Sequence, residues 1–478
     1  MRLMAMTILL TNLLLAGGAP AQSVPLSPDH PWHGSAEFNM KAYAGSIADS
    51  RCALDQSKTY SLSELIDLAE ANNPATRVAW EHARSRAAAL GITRSELYPT
   101  LAATALSQTD SVQAFFGDRF HGQTIQSFQL ALDLNYTVFD FGARSGRIDA
   151  ARARLLSTNF AFNDTHRTVI NQVQQAYYRL LSAIGQEDAA QAGLTNAKSV
   201  QQAAEERLSH GLATLPDVLE ARSATAQAEY DLQAVVGAEE IARGDLATAV
   251  GTSATVAIKV QPLDQWATPD SIGETVEQAI NRAFAQRPDL MQQAAEIREA
   301  NATLKEARAA YYPSLSLNAS PAVPSVYAIQ KPFDWSHTAD LTGSLSFNLR
   351  WTVFDGGARK GRVVQAQADM RAAEAQTNLK INQIADQVWT AYSNLNTAFR
   401  QARAAVALLD AANQSYNAAL ESYKYGLRNL LDLTAAQRSL AQARSADVFA
   451  RTQVLTTLAD LAFTTGDSVQ ANKGRSHP

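Results

Sequence analysis

Residues 136–147 read YTVFDFGARSGR, from Tyr136 to Arg147, and the chain writes nearly the same twelve residues again from Trp351 to Arg362 as WTVFDGGARKGR. Nine of the twelve positions agree, and the glycines Gly142 and Gly357 stand 215 residues apart. Other landmarks return at an offset of 214 or 215: Asn73-Pro74 as Arg287-Pro288, Tyr98-Pro99 as Tyr312-Pro313, Gly211-Leu212 as Gly426-Leu427, and Val250-Gly251 as Thr465-Gly466. Register kept over so many points marks a duplicated half-chain running from about Tyr60 to Gly466. A repeat of this length overrules the three domains that 478 residues would otherwise suggest.

The stretch before each dodecapeptide alternates with a period of two. Phe128, Leu130, Leu132, Leu134, Tyr136 and Val138 fall on one face of Ser127–Phe139, with Gln129, Asp133, Asn135 and Thr137 on the other. In the second half Leu341, Leu345, Phe347, Leu349, Trp351 and Val353 oppose Thr342, Ser344, Ser346, Asn348, Arg350 and Thr352. A weaker strand precedes each, at Thr100–Ser107 and Ser314–Ser320, and the connections Gln108–Gln126 and Pro321–Asp340 are expected as long exposed loops. Four strands are too few to close a membrane barrel, whose smallest form needs about eight, so strands that cross a membrane must come from several chains. A soluble sandwich edge is the other reading of the same alternation.

After each dodecapeptide the grammar changes to helix. Neither glycine nor proline interrupts Arg362–Tyr425 or Leu427–Thr465, and the first half repeats the design between Gly142 and Gly251 with a few glycines and Pro216 intruding. Phe162, Val169, Val173, Ala176, Leu180 and Ile184, and likewise Ile381, Ile384, Val388, Ala391 and Leu395, recur at the 3.5-residue period of a coiled-coil seam. Gly211 and Gly426 end the long helices. Thr214 before Asp217, and Asn429 before Asp432, then place an N-cap residue three positions ahead of an acid. Each half is therefore expected to form a long helical hairpin with a tight tip. The dodecapeptide is the joint from strand to helix, with Asp140 and Asp355 as N-caps and Gly142 and Gly357 relieving the backbone.

Charge and composition exclude other classes. With 41 basic and 46 acidic residues the net charge is −5, which leaves no basic footprint for nucleic acid. Met1-Arg2, the apolar stretch Ile8–Leu15 and Ala19-Pro20-Ala21 have the order of a secretory signal peptide cleaved after Ala21. The single cysteine, Cys52, forms no internal disulfide and stands too far past Ala21 to mark a lipid-anchored start. The eight histidines include no HExxH, and no Ser-centred elbow or nucleotide loop is present, so an enzyme is not expected and no cofactor or metal is implied.

The expected organisation is a signal peptide (1–21), an extended segment (22–58), a first repeat (59–251), a linker (252–273), a second repeat (274–466) and a tail (467–478). Each repeat holds a helix, a strand–loop–strand unit (99–140 or 313–355) and a helical hairpin (141–251 or 356–466) turning near 211–217 or 426–432.

This combination, covering nearly the whole mature chain, resembles the TolC-like outer-membrane efflux family. The resemblance implies a mixed α and β membrane protein: a homotrimer in which each protomer gives four strands to one twelve-stranded β-barrel and its hairpins to a periplasmic α-helical barrel. It implies a passive exit duct for a tripartite efflux or type I secretion system, seated in outer-membrane lipid and opened by a periplasmic adaptor (membrane fusion) protein and an inner-membrane RND, ABC or MFS transporter. In that family a Tyr and an Arg near one tip close the periplasmic entrance by bonding to acidic or polar groups on neighbouring tips. The matching residues are Tyr423, Arg428 and Asp432, with Asp217 as the expected partner of Tyr423. Ala435 stands where the family's pattern carries a further Asp, so a second acidic ring is not implied. A secreted coiled-coil scaffold or adhesin without a pore is the alternative, and it leaves the polar strand faces of Ser344, Asn348 and Arg350 unexplained.

Overall fold

The computed structural model describes residue 55 and residues 57–116, 118–261, 273–330 and 336–467. The expected signal peptide, Cys52, most of the extended segment and the tail from 468 lie outside the described residues. In chain order the elements are β1 (Thr59–Tyr60), α1 (Leu62–Asn72), α2 (Pro74–Ser95), β2 (Thr100–Phe116), β3 (Arg119–Phe139), α3 (Ala143–Ser209) and α4 (Leu215–Ala249), followed by β4 (Lys259–Val260), α5 (Val276–Gln286), α6 (Pro288–Ala309), β5 (Ser314–Gln330), β6 (Ser336–Ala339), β7 (Thr342–Arg350), α7 (Ala358–Lys424) and α8 (Leu430–Thr465). The duplication is visible residue for residue: α1, α2 and β2 recur as α5, α6 and β5 with identical lengths, and α3 and α7 each run 67 residues. At 1.5 Å per residue each of those two helices extends about 100 Å.

Local chemistry sets the boundaries. Ser61 caps α1 reciprocally with Glu64, whose Oε2 accepts from the Ser61 N–H at 3.0 Å, and Thr275 and Gln278 repeat the device on α5 at 2.9 Å. Pro74 and Pro288 each open the next helix at its first turn, where the missing N–H is harmless. Small residues and the expected seam then bury together: Val169, Val173 and Leu180 on α3, and Ile384, Val388 and Leu395 on α7, are almost wholly shielded. Among the described residues no helix is long and apolar enough to cross a membrane.

β1 and β4 pair with each other in parallel, and the remaining strands form one antiparallel sheet in the order β2-β3-β5-β7, with the short β6 pairing the outer part of β5. The register is duplicated too. Leu101 faces Leu134 in the first half, and their counterparts Leu315 and Leu349 face each other in the second. Between the halves β3 pairs β5, with Leu134 opposite Ala319 and Asn135 opposite Asn318.

The expected loop Gln108–Gln126 is instead a continuous hairpin, in which the ladder runs from Thr100↔Asn135 out to Phe116↔Arg119. Much of Pro321–Asp340 is likewise strand, as the ends of β5 and as β6. The physical reason is that apolar alternation stops at Phe128: beyond it the outward positions are Thr109, Gln126, Ser111 and Thr124, with Ser111 and Thr124 hydroxyls 3.1 Å apart. Backbone pairing continues where side-chain patterning has ended. At the other boundary β7 stops at Arg350, so Trp351 and Val353 lie beyond the strand, with Trp351 Nε1 donating to Tyr311 O at 3.2 Å.

A buried cluster of charge pins the helix packing where α8 ends against the α5–α6 corner. Arg287, 3% exposed, forks onto Asp289 at 3.0 and 2.7 Å, and Lys380 Nζ reaches the same carboxylate at 3.0 Å. Arg167, also buried, donates to Phe463 O at 2.6 Å and to Asp164, and its guanidinium lies 4.3 Å from the Phe463 ring centre. Burial pushes the Asp289 carboxyl upward, but the Arg287 fork and Lys380 more than reverse this and hold it well below the usual carboxylate range.

Candidate functional site

The joint between strand and helix is built the same way twice. Asp140 Oδ1 accepts from Gly142 N at 3.2 Å and its Oδ2 from Arg144 N at 2.9 Å and Arg144 Nε at 3.0 Å. Asp355 repeats this on Gly357 N at 3.2 Å, Arg359 N at 3.0 Å and Arg359 Nε at 2.9 Å. The N-cap position itself belongs to Gly142 and Gly357, at φ of 94° and 92°, rather than to the aspartates expected there. The carboxylates satisfy the free N–H groups from two residues upstream, because the chain needs a left-handed step before the helix can begin. In the second copy Gly356 makes the preceding left-handed step at φ 66°; in the first Phe141 does so at φ 50°, stacked on Tyr312 with ring centres 5.0 Å apart.

Above the joints the sheet separates two chemistries. Leu101, Leu132, Leu134, Leu317, Phe347 and Leu349 lie on one face across all four strands, and Leu101, Phe347 and Leu349 are two-thirds exposed in the single chain. Asn135, Asn318, Ser346 and Asn348 lie on the other, where Asp133 accepts from Thr104 Oγ1 at 2.8 Å and Ser320 Oγ at 2.7 Å. β2 and β7 each leave one ladder edge unpaired within the sheet.

At the far end of the helices the two tips close alike. Gly211 and Gly426 take φ of 72° and 75°, and Leu212 N and Leu427 N reach back to Arg207 O and Ser422 O at 2.8 Å each. This is the glycine-dependent closure that satisfies terminal carbonyls. Asn429 Oδ1 then caps α8 by accepting from Asp432 N at 2.8 Å, whereas in the first half the Asp217 carboxylate accepts from both the N–H and the hydroxyl of Thr214 at 2.8 Å. Those two bonds hold the Asp217 carboxyl below its ordinary range.

The structure separates the four sequence-derived gate candidates. Within the chain Tyr423 does not bond Asp217. It is 3% exposed, packed among Ala204, Val218 and Leu430, and its hydroxyl has no hydrogen-bond partner among the described residues. Burial pushes that hydroxyl above its usual range. Arg428 and Asp432 are exposed, and neither side chain is paired among the described residues.

The residue that does join the tips is Arg207, which the sequence reading passed over. From the last turn of α3 its Nη1 donates to Tyr423 O at 2.6 Å, its Nη2 donates to Leu212 O at 3.1 Å, and its guanidinium lies 4.9 Å from the Tyr423 ring centre. The position aligned with it in the second half is Ser422, so the duplication gave no signal. A basic residue in the last turn of a helix was the only available cue.

Comparison with known proteins adds to this geometry. A protein-family description, outer membrane efflux protein, matches residues 65–252 and 279–467, which together take in most of the chain. The protein CyaE of Bordetella pertussis is 27% identical over 420 residues, spanning 86% of this chain and 85% of that one. Outer membrane protein OprJ of Pseudomonas aeruginosa is 25% identical over 450 residues, spanning 93% and 91%. The fold is shared with the crystal structure of a membrane protein from Pseudomonas aeruginosa, at a TM-score of 0.76 and 24% identity over 93% of this chain and 99% of that one.

Proposed function

This chain belongs to the outer membrane efflux protein family and is an outer-membrane channel of tripartite efflux, and from that premise we propose that three copies close their sheets into one twelve-stranded barrel that conducts passively. The observation that carries this reading is the sheet itself: four strands with one apolar and one polar face, ending in open edges at β2 and β7. Unpaired backbone groups facing lipid cost several kcal/mol each, so the edges must meet other strands. Three sheets supply what one cannot.

The periplasmic end is the gate in this reading. Arg428 and Asp432, exposed and with side chains unpaired among the described residues, bond across to the tips of neighbouring protomers, and the free side of the Asp217 carboxylate accepts from Arg428. Tyr423 acts from inside the tip, through Arg207, rather than at the aperture. A periplasmic adaptor and an inner-membrane transporter of the RND, ABC or MFS class supply the work of opening, since the chain carries no nucleotide loop.

The test is fractionation followed by native mass and planar-bilayer recording of the mature protein. Outer-membrane recovery as a trimer with a small resting conductance, raised by Arg428→Ser, is expected. Recovery as a soluble monomer would overturn the assembly, and an assembled Arg428→Ser trimer with unchanged conductance would overturn the gate.

A further inference from the structure

We infer that each protomer flexes at one polar layer crossing three of its four long helices, and that Asp447 is a positioning residue there. By interrupting the apolar stripe of α8 it lets the tip segment of the hairpins shift as a body against the segment packed on α1. The inference rests on the channel reading above and adds to it the level at which the helical wall bends and the residues that set that level.

The stripe by which α8 packs into the wall repeats every seven residues as Leu433, Leu440, Asp447, Val454 and Leu461, all of them buried. Four are aliphatic, and the middle one is a carboxylate. Asp447 Oδ2 lies 3.0 Å from Arg451 Nη2, one turn on, whereas its buried Oδ1 has no hydrogen-bond partner among the described residues. The stripe of α4 reads Val218, Thr225, Leu232, Glu239 and Leu246, and it too holds one buried acid, Glu239, on which Arg243 closes from four residues on. The duplication does not align the two acids: the counterpart of Asp447 is Leu232, and that of Glu239 is Val454.

They nevertheless meet the same turn of α3 from opposite sides. The pairs Arg179–Asp245 at 3.5 Å and Lys198–Glu229 at 3.6 Å set the register of α4 on α3 and place Glu239 level with Gly185 and Gln186. On the other side Gln186 Nε2 donates to Ser445 O at 2.8 Å and Ser445 Oγ donates to Gln186 Oε1 at 2.6 Å. A Cβ at Gly185 would come within 2.6 Å of Val448 Cγ1, so α8 is pressed onto α3 beside Asp447 as a fulcrum.

The layer also divides the apolar core. Val173, Leu180, Leu246 and Leu455 belong to the cluster that packs on α1, and Val200, Val218, Leu433 and Leu440 to the cluster that ends at Tyr423. Among the described residues neither cluster takes a side chain from 185–199 of α3, 222–241 of α4 or 444–454 of α8. From the layer towards the tips a groove of about 800 Å³ opens between α4 and α8, from Gln186 and Phe449 to Ser223 and Thr434. Near its far end Arg438 and Glu220 face each other across it at 3.5 Å, an exposed pair that resists little. Buried polar residues in coiled coils serve to fix register, but here each register is already set by a short tip. What remains is their other effect, a seam that is weaker at one level than apolar side chains would make it. A bend there carries Arg428 and Asp432 with the tip segment while the sheet and its joints stay fixed.

The experiment pairs amide hydrogen exchange of the trimer with planar-bilayer recording. In the parent, residues 183–188 and 443–449 should exchange about tenfold faster than the buried turns on either side, at 173–181 and 200–204. Asp447→Leu with Glu239→Leu should remove that difference and, in an Arg428→Ser background, reduce the open fraction about tenfold. Thr225→Val fills a buried polar position of the α4 stripe away from the layer and should alter neither readout. Uniform protection across the layer in the parent would overturn the inference, and that measurement needs no variant to fold. An assembled trimer of the double leucine variant with its open fraction unchanged, or a Thr225→Val trimer that loses as much, would overturn the role in opening. An Arg428→Ser trimer that stays shut counts against the gate alone, because the exchange profile still decides the layer, whereas a monomeric native mass would remove the trimer itself.

Discussion

Asn73 and Arg287 occupy equivalent places in the two halves, and each donates to a carbonyl in the last turn of its own returning helix: Asn73 Nδ2 to Ala249 O at 3.1 Å, and Arg287 Nη1 to Thr464 O at 3.2 Å. One closure is made by a neutral amide and the other by a buried cation that requires Asp289 beside it. The two should therefore differ in what their removal does. Asn73→Ala loses a cap and one bond, about 1 kcal/mol. Arg287→Ala leaves Asp289 underpaired in a shielded site and should cost about 3–5 kcal/mol, read as a much lower melting temperature of the helical signal.

Acid should reach the same cluster. The folded Asp289 carboxyl is held below its unfolded value, so its contribution is complete above about pH 4 and is lost as pH falls through the depressed folded value. Asp289→Asn should be markedly less stable than the parent at pH 7, and the gap should narrow in melts taken below pH 4. A constant gap across that range would assign the stabilisation to packing rather than charge.

Glycines at helical positions should split by their surroundings. Gly146→Ala drives a methyl group into the α6 backbone and should destabilise by about 1–3 kcal/mol, whereas Gly237, with nothing within 4 Å, should gain up to about 1 kcal/mol on becoming alanine. Thermal melting of the two single variants against the parent decides it.

The faces of β7 make a third contrast. Leu345→Arg and Phe347→Arg put charge on the lipid side at about 2–4 kcal/mol each near the midplane and should reduce insertion, while Ser346→Arg faces the lumen and should insert and shift conductance. Equal assembly of all three would reverse the assignment of faces.

At the tips, Arg207→Gln should uncouple the two hairpins and raise resting conductance in bilayers. Tyr423→Phe should change it far less, because the ring and carbonyl that Arg207 uses remain and the lost hydroxyl has no partner among the described residues. A larger effect from Tyr423→Phe would mean that the hydroxyl works across protomers after all.

Much of the fold was written in the sequence because duplication converts a faint signal into two aligned ones. The joints at Asp140 and Asp355, the glycine-ended tips and the seam through Val169–Leu180 and Ile384–Leu395 all stood out in this way. What lacked a copy was harder to read. Arg207 aligns with Ser422, and Asp289 looks like an ordinary first-turn acid until Arg287 and Lys380 close over it. Tyr423 sits beside exposed tip residues in sequence yet points inward, a fact of helix rotation that spacing near a chain reversal does not fix. The outer half of the β2–β3 hairpin was missed because strand patterning records burial, and that segment is wetted on both sides.

That wetted hairpin has a consequence for how the protein meets its surroundings. Seventeen residues of β2 rise about 56 Å, or about 43 Å when tilted by 40°, against an apolar band of about 25 Å. The portion past Phe128 stands clear of the lipid as a rim, tipped by Phe115 and Phe120 with ring centres 5.0 Å apart. Main-chain pairing carries most of this rim, with the Ser111–Thr124 hydroxyls and the Phe115–Phe120 rings among its side-chain contacts, so most of its side chains can be exchanged without loosening the conduit below.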